Sequence, residues 1–311
     1  MKEDNILLNV IKYVKNPQNI LLKLDRYNII KLSDEEYIKI MYKNNFEKEI
    51  DLNNPQTFNE KLQWLKLYDR KEIYTTMVDK YEVKKYVSDI IGEEYIIPTL
   101  GIYEKFDDID FEKLPNQFVI KCTHDSGGLV IVRDKKTIDV KMIKKIITKS
   151  LKRNFYYSYR EWPYKHVKPR IIVEKYMHDC NQKDLIDYKF FCFNGYPKFL
   201  YVSQGLENHE TARMDFLDLN FNKMSFKRND YDNFKIIPEK PLNFEKMKDF
   251  AKKLSKKTTF VRVDFYEVNS KLYFSELTFF PNAGFMKVEP VEWDKKIGKM
   301  LDLSVIGRNY K

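Results

Sequence analysis

Residues 260–278 read FVRVDFYEVNSKLYFSELT, and this stretch decides the predicted fold. Apolar residues alternate with polar ones on both sides of the NSK tripeptide, which predicts two antiparallel strands joined by a tight turn. If residues 269–271 form a three-residue turn, Asp264 lies directly opposite Glu276 and both carboxylates share one face of the hairpin. A two-residue turn would place them on opposite faces.

Two directly opposed carboxylates destabilise a sheet unless a positive charge lies near them. Arg262 and nearby lysines are candidate partners for this pair. Mg²⁺ is the sharper alternative, because it binds one or two carboxylates together with phosphate oxygens. Thr278 or Asn282 would add a further oxygen ligand. The spacing alone is equally compatible with two solvated acids on an exposed face.

A second hairpin is predicted upstream, where residues 118–133 read FVIKCTHDSGGLVIVR. The two glycines of Ser126, Gly127 and Gly128 would let backbone N–H groups approach an anion closely. Lys121 interrupts an apolar strand, so its ammonium needs a counter-charge or water. A phosphate would satisfy both features, although an ordinary hairpin with a Gly-Gly turn is the commoner explanation of such a pattern.

Glu174 and Lys189 also interrupt apolar strands, in RIIVEKYM and DYKFFCF. Ionisable side chains are seldom buried without partners, so these two either face a polar cleft or lie on a solvated strand face. The second alternative is the simpler one when each residue is taken alone. His124, beside the Gly-Gly turn, either caps the turn, contacts phosphate or carries a proton.

The rest of the chain predicts an α+β protein. Apolar residues at spacings of three and four predict helices from Ile6 to about Val87, and Thr57 with Glu60 forms a capping box before one of them. Short strands follow Pro98. Further helices are expected over residues 139–155 and about 244–257.

Composition describes a folded globular chain of 311 residues with a net charge of +10. The basic residues are interspersed with acidic ones along the whole sequence, which argues against a nucleic-acid partner. The N-terminal stretch carries charged residues among its apolar ones, so neither a signal peptide nor a membrane span is expected, and the cytoplasm is the expected location. Three cysteines without CxxC spacing favour reduced thiols over a disulfide framework or a zinc site.

Five segments, taken in order, resemble the ATP-grasp superfamily and its TupA-like branch, which is associated with teichuronopeptide and other surface-polysaccharide synthesis. The segments are TFNEKLQWLKLYDR, MVDKYEVKKYV, LPNQFVIKCTHDSGG, DYKFFCFNG and VRVDFYEVNSKLYFSELTFFPNAGF. The resemblance implies an ATP-grasp fold with two α+β lobes around a nucleotide cleft, preceded by a helical N-terminal segment. The implied division is a helical region over 1–95, a small lobe with the glycine-rich loop over 96–170, and a large lobe with the metal site over 171–311.

The same resemblance implies roles for particular residues. ATP phosphates would be held by Lys121, Ser126, Gly127, Gly128 and Lys189. Glu174, Lys175 and Tyr176 would lie along the hinge that meets adenine and ribose. Asp264 and Glu276 would bind Mg²⁺, with Asn282 or Thr278 as the third ligand, because many ATP-grasp enzymes place Asn where this chain has Thr278. Arg262 and Lys189 would act at the reacting centre.

The implied reaction is ATP-dependent ligation. A substrate carboxylate attacks the γ-phosphate to give an acyl phosphate, and an amine then displaces phosphate to form an amide. The carboxylate would belong to a uronic acid of a glycan or to an amino acid. Three alternatives stay open: a small-molecule or saccharide kinase, a glycosyltransferase and a non-catalytic partner in the same pathway. Asp264→Asn and Glu276→Gln are expected to remove activity and to leave the fold largely intact.

Overall fold

The computed structural model describes residues 18–26, 29–180, 184–206 and 210–307. The part of the N-terminal helical prediction that covers residues 6–17 lies outside these ranges. The helices are α1 Gln18–Arg26, α2 Asp34–Phe46, α3 Phe58–Tyr68, α4 Ile73–Val78, α5 Glu82–Ile91, α6 Val140–Leu151, α7 Tyr156–Tyr159, α8 Phe244–Ser255, α9 Glu292–Gly298 and α10 Ser304–Gly307. The strands are β1 Thr99–Tyr103, β2 Phe118–Cys122, β3 Leu129–Val132, β4 Ile171–Lys175, β5 Ile186–Phe193, β6 Tyr196–Gln204, β7 Arg213–Asp218, β8 Lys227–Arg228, β9 Phe260–Val268, β10 Lys271–Thr278 and β11 Val288–Glu289.

The larger sheet is antiparallel, with strand order β10-β9-β5-β6-β7. Its central strand β5 is buried along its whole length, because helices cover both faces. Successive side chains of a strand point to opposite faces, and the two neighbouring phenylalanines follow this rule. Phe190 contacts Phe244 of α8, whereas Phe191 contacts Phe58 of α3. The sheet therefore forms the middle layer of the main core.

The β9–β10 hairpin differs from the predicted register at its turn. The turn has two residues, Asn269 and Ser270, both with positive φ, so the three-residue turn was wrong. A β-bulge between Phe274 and Glu276 adds one residue to β10 and shifts the pairing back. Asp264 consequently pairs with Glu276 as expected, although for a different reason. A bulge places two residues of one strand opposite one residue of the other, which restores the shared face.

The smaller sheet is also antiparallel and has strand order β1-β4-β2-β3. The predicted β2–β3 hairpin is confirmed, with Lys121 opposite Leu129. Helix α6 packs on this sheet through Ile143 and Ile147, which belong to a second, separate core. β4 lies between β1 and β2, so this sheet extends past residue 170 in the sequence. The division into three regions stays a prediction.

The N-terminal helices are fixed by caps and by packing on the larger sheet. The Thr57 side chain accepts a hydrogen bond from the Glu60 backbone, and the Glu60 carboxylate accepts one from the Thr57 backbone, so the predicted capping box is confirmed. Ser33 and Glu36 form the same arrangement at the start of α2. None of the helices among the described residues is long and apolar enough to span a bilayer.

Candidate functional site

A large cleft of about 800 Å³ lies between the two sheets and is closed on one side by the N-terminal helices. A side pocket of about 340 Å³ opens beside it. Six residues line both spaces: Ile97, Lys121, Leu129, Glu174, Lys189 and Tyr266. The two spaces therefore adjoin each other.

Arg262 connects the two acids of the β9–β10 hairpin: Glu276 lines the large cleft, and Asp264 is fully buried beside it. Arg262 Nε donates to Asp264 Oδ1 at 2.7 Å, and its terminal nitrogen donates to Asp264 Oδ2 at 2.5 Å and to Glu276 Oε1 at 2.9 Å. Lys189 adds a second cation, 3.0 Å from Asp264 Oδ2 and 3.0 Å from Asp187 Oδ1. The structure thus brings together four of the predicted site residues, and protein cations balance the pair.

The electrostatic environment keeps Glu276 ionised. Burial acts to raise its pKa, but the charges of Lys189, Arg262 and Lys80 outweigh burial and lower the pKa to about 2. Solvent still reaches 44% of the Glu276 side chain, which screens part of this effect. For Lys189, the charges of Asp187 and Asp264 outweigh burial and hold the pKa well above its ordinary value. Both groups are therefore charged at neutral pH.

The residues around Glu276 fit a hard cation such as Mg²⁺. Glu276 Oε1 accepts from Arg262 and Thr278, whereas both oxygens of Asp264 already accept from Arg262. Glu276 therefore has more unoccupied carboxylate oxygen for a metal ion than Asp264 has. Asn282 lines the same cleft, and its amide nitrogen donates to the Phe285 carbonyl. In the described ranges no group of three or more His, Cys, Asp or Glu converges, so further ligands would be amide, hydroxyl or phosphate oxygens.

The opposite wall carries lysines that share one buried anion. Glu174 is 4% exposed and accepts from Lys121 at 2.5 Å and from Lys84 at 2.6 Å. Burial acts to raise the Glu174 pKa, but these two charges outweigh it and lower the pKa. Glu174 is thus a partnered residue of the cleft wall rather than an acid on a solvated strand face.

The loop between β2 and β3 lines the large cleft through Ser126, Gly127 and Gly128. Only Gly128 is required by packing, since a Cβ atom there would collide with the Ser150 side chain of α6. A Cβ atom at Gly127 would have no neighbour closer than 3.9 Å. His124 is not exposed to the cleft, because it is 2% exposed and its Nε2 lies 3.0 Å from the Arg153 carbonyl oxygen.

The predicted hinge residues Lys175 and Tyr176 line the side pocket, together with Glu174. The Tyr176 ring stacks on the His178 ring at 6.4 Å, and the Arg133 guanidinium lies 5.8 Å from the Tyr176 centroid. Apolar side chains complete the pocket and are those of Ile97, Val119, Leu129, Ile131, Met177, Leu185 and Leu206. A narrow, mainly apolar slot with polar groups at its rim suits a planar heterocycle.

Sequence reasoning did not identify several residues of the large cleft, among them Lys80, Lys84, Glu161 and Tyr164. Lys84 lies on α5, whereas Lys80 lies in the turn just before this helix. Lys80 donates to the Asp125 carbonyl at 2.6 Å and so ties this turn to the loop of the smaller sheet. Glu161 lies in an irregular segment, so neither Lys80 nor Glu161 has a periodic pattern that could have identified it.

Several solved structures are similar to this chain. D-Alanine–D-alanine ligase from Bacillus anthracis matches at 18% identity, covering 82% of this chain and 73% of its own, with a TM-score of 0.45. The Helicobacter pylori enzyme matches at 14% identity, with coverages of 79% and 69% and a TM-score of 0.42. The ATP-grasp ligase PsnB, complexed with a phosphomimetic variant of its minimal precursor, Mg and ADP, matches at 10% identity, with coverages of 80% and 65% and a TM-score of 0.42. The chain spans about two thirds of the length of such ligases.

Comparison with curated proteins found no significant match. A family model described as TupA-like ATPgrasp matches residues 60–302, which is most of the chain and includes both sheets and the cleft between them. The chain therefore belongs to the TupA-like ATP-grasp family.

Proposed function

We propose that the chain is a carboxylate–amine ligase, which uses ATP to form an amide through an acyl phosphate. The observation that carries this proposal is the meeting of an acidic pair with basic residues in one cleft. Glu276 lines the cleft and is linked through Arg262 to the buried Asp264, and Lys121 and Lys189 line both the cleft and the side pocket. Such an arrangement matches a phosphate chain with a bound cation, because positioned positive charge is the main requirement of phosphoryl transfer.

In this proposal the nucleotide extends from the side pocket into the large cleft. Adenine would occupy the side pocket beside Lys175 and Tyr176, and the phosphates would reach the loop at Ser126, Gly127 and Gly128. Glu276 and Asp264 would hold Mg²⁺, with Asn282 or Thr278 as a further ligand. When bound, it neutralises charge on the transferred phosphoryl group.

The chain's own cations do the remaining work. Lys189 is held by Asp187 and Asp264, each 3.0 Å away, so its ammonium has a fixed position from which to contact the transferred phosphoryl group. Arg262 is likewise fixed by Asp264 and Glu276. A donor that is already positioned stabilises developing negative charge without reorganisation, so Arg262 would stabilise the oxyanion formed when the amine attacks.

The reaction is tested by measuring ADP and orthophosphate release with Mg²⁺ and a matrix of carboxylate and amine compounds. A ligase releases both only when a carboxylate and an amine are present together, and mass spectrometry then detects the amide. A stable phosphorylated product would indicate a kinase instead. Indifference to ATP, with binding of a nucleotide sugar, would indicate a glycosyltransferase. Absence of turnover with every pair, in protein that binds MgATP, would indicate a non-catalytic partner.

The substrates are proposed from the family resemblance. We infer a role in surface-polysaccharide synthesis of the capsule or teichuronopeptide type, with a uronic acid or an amino acid as the carboxylate. The matrix should therefore contain uronic acids and glutamate as carboxylates. Activity confined to substrates unrelated to glycans would contradict the pathway and leave the ligase reaction intact.

A further inference from the structure

One buried carboxylate of the large cleft has no part in the proposed nucleotide site. Glu161 is 5% exposed and lines the cleft. Within the described part of the chain, its carboxylate accepts no hydrogen bond and has no basic nitrogen within 4.0 Å, whereas Glu174, equally buried, has two lysines. Buried carboxylates without partners are rare because the charged form loses its hydration. An unpartnered carboxylate that faces a cleft therefore indicates a cationic ligand.

Lys66 is the nearest candidate for an internal counter-ion, but its ammonium is already bound elsewhere. It donates to the carbonyl oxygens of Tyr159 at 2.9 Å and Ala283 at 2.8 Å. Its charge also lies 5.2 Å from the centroid of the Phe285 ring. Burial raises the pKa of Glu161 to about 7, and Lys66 opposes this only in part. Glu161 is therefore left short of positive charge.

Aromatic rings lie on the same wall of the cleft as Glu161. Phe155, Tyr159 and Tyr164 all line the cleft, and the Phe155 ring lies 5.9 Å from that of Tyr159 and 5.0 Å from that of Tyr164. Aromatic faces attract ammonium groups, most strongly where water is excluded. A carboxylate among three rings combines the two kinds of group that recognise an organic cation.

Glu161 and Tyr164 line the same cleft as Arg262 and Glu276. Burial raises the pKa of the Tyr164 hydroxyl well above its ordinary value, and the charges of Glu161 and Glu276 act in the same direction. The neighbouring Arg160 pairs with Asp25 at 2.6 Å, which anchors the segment to the N-terminal helices. A cation bound at Glu161 would thus be held on a fixed wall of the cleft that Glu276 also lines.

We propose that Glu161, with Phe155, Tyr159 and Tyr164, binds the ammonium group of the amine substrate. The inference rests on the proposed ligase function and specifies one of its two substrates: a primary amine that enters as a cation rather than a neutral or anionic acceptor. Glu161 would then select between acceptors by charge, before the amine loses its proton and reacts.

The test compares n-butylammonium with n-butanol, which have similar shape and differ in charge. Binding is measured by ligand-observed NMR on the full chain with the non-hydrolysable nucleotide MgAMPPNP. The wild type should prefer n-butylammonium, Glu161→Gln should lose about tenfold in affinity for it alone, and Glu161→Asp should recover part of the loss. Glu289→Gln, at an exposed carboxylate on β11, is the matched control and should bind like the wild type.

Equal n-butylammonium binding by the wild type and Glu161→Gln would overturn the proposal. If Glu161 served only to balance Lys66, its replacement would change stability and leave the preference for the cation unchanged. Failure of the wild type to bind MgAMPPNP would contradict the proposed function instead, and the comparison of cation with alcohol would still report on Glu161.

Discussion

At the scale of single residues, Arg262 explains how two carboxylates coexist on one face of a hairpin. Its guanidinium donates to Asp264 and Glu276 at once and to the Tyr201 hydroxyl at 3.2 Å. Asp264 is fully buried, whereas solvent reaches 44% of the Glu276 side chain. Replacing either acid should therefore affect stability to a different extent, although both are predicted metal ligands.

Replacing Glu276 by Gln should abolish turnover with little effect on folding. We expect activity to fall by roughly 100-fold or more, and the free energy of unfolding to change by no more than about 1 kcal/mol, because the site is partly solvated. ADP release and urea denaturation measure the two effects, with Glu289→Gln as the control. Substantial turnover by folded Glu276→Gln would remove Glu276 from the site.

Replacing Asp264 by Asn should affect both properties. The change leaves Arg262 and Lys189 with too little negative charge in a buried position, and breaking a buried pair costs about 3 kcal/mol or more. The structure thus changes the sequence-based expectation that this variant keeps its fold largely intact. Urea denaturation of the two variants side by side checks it. An unfolding free energy equal to that of Glu276→Gln would contradict this explanation.

Glu161 gives the protein a pH-dependent stability. Its folded pKa of about 7 lies above the ordinary value of a carboxyl group, so the folded state holds the proton more tightly than the unfolded state does. The resulting stability is complete at low pH and is lost as pH rises through about 7. The full difference amounts to roughly 3 kcal/mol.

Urea denaturation of the wild type and Glu161→Gln at about pH 5 and about pH 7.5 tests this dependence. The wild type should lose stability relative to the variant as pH rises. The measurements should stay below about pH 8, because burial lowers the pKa of Lys66 to about 8 and its titration would add to the pH dependence. If the free energies of unfolding of the two proteins changed with pH in the same way, the Glu161 pKa would not be raised in the folded state.

At the scale of secondary structure, the two hairpins show what sequence spacing can and cannot predict. Alternation predicted both strands, but only β10 alternates between buried and more accessible residues, whereas β9 is buried on both faces over most of its length. The spacing did not reveal whether the turn had two or three residues, because positive φ at Asn269 and Ser270 leaves no mark in the sequence pattern. The sequence analysis also did not anticipate the bulge at Ser275, so the correct pairing of Asp264 with Glu276 followed from two compensating errors.

Ser270 is therefore a site where glycine should stabilise the hairpin. Its φ of 62° is strained for a residue with a side chain, and glycine is preferred at the second position of such a two-residue turn. We expect Ser270→Gly to raise the free energy of unfolding by about 0.5 kcal/mol. Urea denaturation measures the change, and lower stability would mean that the Ser270 side chain makes a contact worth more than the strain.

The adjacent glycines of the β2–β3 loop should respond differently to the same substitution. Gly128→Ala drives a methyl group into Ser150 and should lower stability by about 1–3 kcal/mol. Gly127→Ala meets open space, so stability should stay close to that of the wild type. If phosphate approaches Gly127, this variant should still bind MgAMPPNP more weakly. Unchanged binding by Gly127→Ala would place the phosphates elsewhere in the cleft.

At the scale of the whole molecule, the cleft is made by segments distant in sequence, and this limits what sequence alone can predict. Lys121 and Lys189 could be identified because each interrupts an apolar strand, and Glu276 because the hairpin spacing places it opposite Asp264. Lys80 lies in a turn and Glu161 in an irregular segment, where ionisable residues are ordinary. Only the packing of the N-terminal helices against both sheets turns them into cleft residues.

A nucleotide that contacts both sheets should stabilise the whole chain. Ligands that bind only the folded state raise its stability by about 2.7 kcal/mol at a concentration of about 100 times Kd. We expect MgAMPPNP to raise the denaturation midpoint of the wild type and to do so less for Lys121→Met, which lacks one phosphate contact. An equal shift for both proteins would exclude Lys121 from the nucleotide site.

Glu174 has a consequence for the catalytic cycle as a whole. Its carboxylate lies between Lys121 and Lys84, so phosphates that bind at Lys121 as proposed would compete with it. When spent nucleotide left, Glu174 would again pair with both lysines and limit the repulsion between them. Product release would thereby be favoured without any external counter-ion.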